Sequence, residues 1–316
     1  MEQWRVCSPG CSLVVSLAFG FPSPGVGIDA AGVVSWEELM MSQPVLTIPK
    51  PKEHGAWGML YVPLLIAAGM TQTFNIPMLL LTLVATLVFL SQRPFVLLMT
   101  SPAVRRDPGM LRRNLVWLAV YWVISSSLLG VLVFQYRLEF LIHFGVVAIP
   151  IAFVFTFFVI TNRVRTVPGE IGGISGLTLT GPLAHYVAVG QVQAAGLWLW
   201  MLSILYFSSS VFYVKAVVAA FVKSRSNTGV ESPVLARICS FYHLGLLGLI
   251  AGMVALDKLP VVMLIAFLPV IVRGLWGIRK PRARLNFARI GWTEVVYSLF
   301  FAVATIAAMR PESFPR

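Results

Sequence analysis

Nine runs of predominantly apolar residues follow one another between about residue 56 and residue 309, separated by short polar connections. Such runs leave few ways to fold, because in a hydrocarbon layer every backbone N–H and C=O must find its partner inside the protein. Only helices and closed barrels achieve that. The runs show no alternation of apolar and polar residues, so each reads as a helix rather than a barrel strand. The expected spans are 56–74, 76–98, 114–134, 139–161, 170–189, 194–221, 237–255, 259–277 and 288–309. The predicted fold class is therefore all-α, a polytopic membrane helical bundle of about nine transmembrane helices. Composition agrees: 58% hydrophobic and 11% charged residues, with a mean hydropathy of +0.85, lie far from the balance of soluble domains. About 20 residues per span uses up the length and excludes a sizeable soluble domain.

Charge supplies the orientation. A net charge of +12 would suggest nucleic acid as the partner of a soluble chain, but here the basic residues sit between apolar runs. The second, fourth, sixth and eighth connections hold most of them, including Arg105, Arg106, Arg112 and Arg113, then Arg163 and Arg165, then Lys223, Arg225 and Arg237, then Arg279 to Arg289. The first and fifth connections hold none. That alternation places the N-terminus and the even connections in the cytoplasm and the C-terminus outside, with membrane lipids and not nucleic acid as the partner. Residues 1–45 differ from the rest and are expected to be a disordered extension or a mis-assigned start, translation beginning at Met40 or Met41; residues 46–316 form one transmembrane bundle. Cys7, Cys11 and Cys239 have no metal-ligand spacing.

Several polar groups fall where a bilayer does not excuse them. An ionisable residue inside a span costs about 2.5–3.5 kcal/mol on insertion scales and is a functional candidate unless it reaches an interface. The stretch Pro51-Lys52-Glu53-His54-Gly55-Ala56-Trp57 sets an acid and an imidazole at the mouth of the first span, and Glu53 and His54 are the candidate acid–base pair. Lys52 as an interface anchor and Trp57 as an aromatic-belt residue explain part of that stretch without chemistry. Glu294 lies about 9 Å into the last span at the helical rise. Lys215 in the sixth span, Tyr242 and His243 in the seventh, Glu170 opening the fifth and Arg93 closing the second all fall in the cytoplasmic half. Convergence of these residues predicts one shared polar pocket, with Glu294 paired to Lys215 or Arg93. Snorkelling of the two cations is the bland alternative. His143 and His185 receive no role, and no metal site is legible. The glycines and Pro182 of the fifth span predict a buried helix.

Three segments carry a resemblance. Pro51 to Trp57, Phe212-Tyr213-Val214-Lys215 and Gly291-Trp292-Thr293-Glu294 resemble the YwiC-like family of bacterial membrane proteins, from about residue 48 onward. That resemblance implies a multi-pass protein of the bacterial cytoplasmic (inner) membrane and brings no activity with it. More distantly, the nine helices and the basic loops after the second and sixth spans are similar to the UbiA superfamily of intramembrane prenyltransferases. Those enzymes hold magnesium and a diphosphate on two aspartate-rich motifs. Here the corresponding positions read Ser91-Gln92-Arg93-Pro94-Phe95 and Lys215 without aspartate, so neither magnesium nor another cofactor is expected.

The functional expectation is that this chain binds or modifies a lipid-soluble molecule, of the isoprenoid or quinone class, in the cytoplasmic-side pocket. If it is an enzyme, it is transferase-like without the magnesium motifs. The alternatives are a proton-coupled transporter of a small solute, since intramembrane Glu and His carry protons, and a structural protein recruiting partners through its basic loops.

Overall fold

The structure is a computed structural model that describes residues 54–225, 232–277 and 287–309. The described residues are helical and contain no strand. In chain order the helices are α1 (His54–Thr71), α2 (Ile76–Thr100), α3 (Pro102–Arg106), α4 (Pro108–Gly130), α5 (Leu141–Ile160), α6 (Val167–Thr178), α7 (Thr180–Val189), α8 (Ala194–Arg225), α9 (Ser232–Ala255), α10 (Val262–Trp276) and α11 (Phe287–Ala308). Among the described residues six are long and apolar enough to cross a membrane: α2, α4 with its terminal π turn, α5, α8, α9 and α11. The stretches Gly55–Thr71 and Val262–Trp276 are apolar but shorter. The expected fifth span is two helices, α6 and α7, broken at Leu179.

Side-chain placement is that of a membrane bundle. Outward positions of α5 are large and apolar, with Val146, Ile149, Phe153 and Ile160 exposed, which is a surface suited to lipid. Inward positions form one apolar cluster running through Ile66, Met78, Leu132, Tyr206, Phe267 and Phe301. Helix α1 is central, packing against α6, α7, α8 and α11. Trp57 does more than mark an interface: its ring stacks on Tyr61 and meets Phe89 edge-on at 4.8 Å, joining α1 to α2.

The α6–α7 break has a local cause. Pro182 has no N–H to offer Thr178, and the Thr178 hydroxyl turns back to Ile174 O. The Thr180 hydroxyl lies 2.9 Å from both Leu60 O on α1 and Leu177 O of its own turn, so the broken segment is tied to its neighbour as well as to the preceding turn. Gly181 lets Pro63 and Leu199 close on the backbone from either side. The segment from Thr180 to Val187 is buried, as its glycine and proline content predicts.

Gly169 tests this packing. A Cβ there would stand 2.7 Å from the carbonyl oxygens of both Arg163 and Val164, so the α5–α6 loop backbone would have to move. Gly172, one turn on, has only Val154 at an ordinary 3.9 Å. Gly169→Ala should therefore destabilise by about 1–3 kcal/mol despite alanine's better helix propensity. In a thermal melt of the detergent-purified protein Gly172→Ala should match the wild type. Equal melting of the two variants would contradict the placement of that loop.

Candidate functional site

The most enclosed charges in the described residues lie between α8, α10 and α11. Arg273, one turn from the end of α10, donates from Nη1 to Glu294 Oε1 of α11. Ser210 of α8 donates to the other carboxylate oxygen, Oε2, at 2.6 Å, and Arg273 Nη2 donates to Ser210 Oγ at 3.3 Å. The three groups close a ring of hydrogen bonds in which each carboxylate oxygen has a donor. Above and below, the guanidinium is sandwiched: its carbon lies 4.4 Å from the Tyr213 ring centroid and 5.1 Å from that of Tyr297. Such stacking on ring faces favours a cation taken out of water. The Arg273 side chain is 7% exposed, whereas Glu294 keeps 21%. The pair is thus closed around the cation and partly open at the acid.

Two glycines make that ring possible. At Gly274 a Cβ would run into the buried His243 imidazole, and at Gly277 it would meet the Arg273 carbonyl and the Tyr213 ring. Helix α9 presses His243 directly on the α10 backbone. His243 Nδ1 donates to Cys239 O at 2.7 Å, which leaves Nε2 as the bare acceptor facing Gly274. Tyr242, its neighbour, stacks on Phe212 at 4.3 Å and donates to Leu205 O at 2.7 Å. His243 and Tyr242 therefore join α9 to α8 and α10; neither hydrogen-bonds Glu294.

Lys215 does not pair with Glu294. It forms a second pair, with Glu170 in the first turn of α6 at 3.1 Å, and also donates to Arg165 O at 2.6 Å. Ser210 and Lys215 are five residues apart, about 140° around α8 at 3.6 residues per turn, so the two pairs occupy different sides of that helix. Lys215 and Glu170 are 23% and 25% exposed. The expected partner of Glu294 is thus corrected: it is Arg273 rather than Lys215 or Arg93, and Lys215 pairs with Glu170 on another side of α8. Arg93 is not the end of the second span either, because α2 continues through Pro94 to Thr100 and leaves Arg93 half-buried inside it. Glu53 lies outside the described residues, as does the side chain of His54, whose backbone opens α1. Among the described residues no three His, Cys, Asp or Glu side chains converge as metal ligands.

Arg273 is the residue that sequence reasoning missed. It falls inside the predicted span 259–277, yet the basic run that follows it makes it look like the first charge of a loop. The signal was the apolar Leu275-Trp276 beyond it, which keeps Arg273 within the helix.

Removing one partner of such a pair strands the other charge, at a cost of about 3–5 kcal/mol. Glu294→Gln should lower the thermal stability of the purified protein by that order, and Arg273→Met in the same chain should restore much of it. Lys215→Met should give no rescue. Rescue by Lys215→Met and not by Arg273→Met would refute the pairing.

Comparison with known proteins addresses the other half of the chain. The model of the YwiC-like protein family matches residues 50–185, which hold α1 to most of α7 and end before Ser210. A relative is the uncharacterized protein YwiC of Bacillus subtilis strain 168, 25% identical over 170 residues. The alignment covers 53% of this chain and 66% of that protein, a little under two thirds of its length. No solved structure matches. The matched region begins close to the Lys-Glu-His-Gly-Ala-Trp stretch and continues through the central helix α1 to most of the broken α6–α7 segment. Over residues 50–185 this multi-pass helical membrane protein is similar to the YwiC-like family.

Proposed function

We propose that the protein binds a lipid-soluble molecule with an anionic or strongly polar headgroup, of the isoprenoid or quinone class, at the Arg273–Glu294 pair. The observation that carries this reading is the asymmetry of the pair, a cation fixed by two tyrosine rings beside an acid that remains one-fifth accessible. Held in this way, Arg273 offers a pre-oriented guanidinium to a headgroup oxygen, and pre-orientation saves the ordering cost that weakens most charged contacts. Trp276 and Trp292 stand exposed within a turn of Arg273 and Glu294, where amphipathic rings suit the boundary between hydrocarbon and headgroups. A ligand entering from the membrane would pass these rings and meet the charge pair with its polar end. The Lys215–Glu170 pair lies on the same face by the charge pattern and would extend the polar rim. Any chemistry on the bound molecule would fall to Glu294, Ser210 or the Glu53–His54 stretch.

The test is purification in mild detergent followed by native mass spectrometry of retained lipid. Wild-type protein should keep an isoprenoid or quinone species, and Arg273→Met should lose it by tenfold or more, since a hydrogen bond to a charged group contributes about 1.5–3 kcal/mol. Arg273→Lys, which keeps the charge and loses the fork, should retain part. Recovery of bulk phospholipid alone from the wild type would sink the proposal.

A further inference from the structure

The open side of the Arg273–Glu294 pair is its acid, and that decides which headgroup can approach. Arg273 is nearly enclosed, its two faces are covered by Tyr213 and Tyr297, and its Nη1 and Nη2 are engaged by Glu294 and Ser210. A flat ring cannot stack on a guanidinium whose faces are taken. Glu294 is one-fifth accessible, and each of its oxygens has one donor, Arg273 on Oε1 and Ser210 on Oε2. A carboxylate has about four lone-pair positions, so roughly two of them stay open. The acid stands about 10 Å along α11 from its start at Phe287, between the exposed side chains of Trp292 and Val295. At that depth no bulk water supplies the missing donors. An incoming molecule has to bring one.

Ser210 shows which kind of donor the pair accepts. Its hydroxyl gives a hydrogen bond to Glu294 Oε2 at 2.6 Å and takes one from Arg273 Nη2 at 3.3 Å. A single O–H thus serves the acid and the base at once. A quinone carbonyl cannot do this, because it has no proton to give to the accessible carboxylate. A charged headgroup of either sign fares no better. The pair is already neutral as a whole, so an added charge meets one like and one opposite partner, and its own desolvation is not repaid.

We propose that the ligand of this pair carries a neutral hydroxyl as its polar end, the O–H of a long-chain alcohol or of a reduced quinone, which donates to Glu294 and accepts from Arg273 in the manner of Ser210. The assignment rests on the headgroup reading above and narrows it: diphosphates and oxidised quinones become the poor ligands of the site. Ser210 is then a specificity-determining residue, since its hydroxyl fills the place on Oε2 and Nη2 that a ligand hydroxyl would take. Tyr213 and Tyr297 contribute by exclusion, leaving only the edge of the guanidinium to be approached.

Pairs of probes that share a tail test it, added at equal concentration to the protein in mild detergent and read by native mass spectrometry. One pair is geranylgeraniol and geranylgeranyl diphosphate; the other is a short-tailed benzoquinol and its quinone. Matched tails leave the polar end as the difference. In at least one pair the hydroxyl member should be retained about tenfold or more over its partner, the worth of one hydrogen bond to a charged group. Preference in the first pair alone identifies an isoprenoid alcohol, and in the second alone a reduced quinone. Ser210→Ala, which frees Oε2 and Nη2 without changing any charge, should raise retention of the hydroxyl probe several-fold and leave its partner unchanged. Glu294→Gln should reverse the order in the first pair, because the guanidinium then lacks its counter-ion and takes the diphosphate instead. Retention without hydroxyl preference in either pair, or a folded Ser210→Ala protein with unchanged hydroxyl retention, would overturn the assignment and leave the headgroup reading standing. Retention of none of the four probes would overturn both.

Discussion

A guanidinium inside a membrane bundle has to be given a replacement for its water, and the arrangement of the C-terminal helices follows from how Arg273 is supplied with one. Its Nη1 takes Glu294, its Nη2 takes Ser210, and its two faces take Tyr213 and Tyr297. Those groups come from α8 and α11, which do not approach each other closely, so the side chain projecting from α10 is the strut between them. The glycines at 274 and 277 then become necessary, because the strut is in place only if α9 and Tyr213 can lie directly on the α10 backbone. A buried ion pair is weak evidence for net stability, since apolar residues of the same volume can do as well. What it specifies is register: only one rotation of α10 and one depth of α11 let Arg273 and Ser210 each donate to a carboxylate oxygen while Arg273 also reaches Ser210.

The frame was legible in the sequence because it is set by composition over long stretches. Apolar run length and charge alternation locate α2, α5 and α8 within a few residues, and α7, the half of the expected fifth span around Gly181 and Pro182, is buried as expected. Glu294 was legible as a buried acid needing a cation for the same reason, depth within a run. Its partner was not. Choosing between Arg93, Lys215 and Arg273 requires knowing which helices are neighbours, and helical periodicity says which face a residue occupies without saying what that face meets. Lys215 was the attractive choice at similar depth, yet it points to the α6 side of α8, where the first-turn acid Glu170 and the Arg165 carbonyl are waiting. Arg273 was masked by its neighbours in the chain, a basic run whose ordinary role is topology.

The two halves of the chain meet at α1. The family match covers α1 and most of the broken α6–α7 segment packed on it, while the charge ring lies on α8, α10 and α11 beyond it. Yet α11 leans along α1, and Gly69 leaves the space that Ile306 fills. The depth of Glu294 is therefore fixed from both sides, by Arg273 on α10 and by the apolar contact of Ile306 with α1. A change in how α1 sits would be transmitted to Glu294 through rigid packing, since a well-filled interface shifts as a unit.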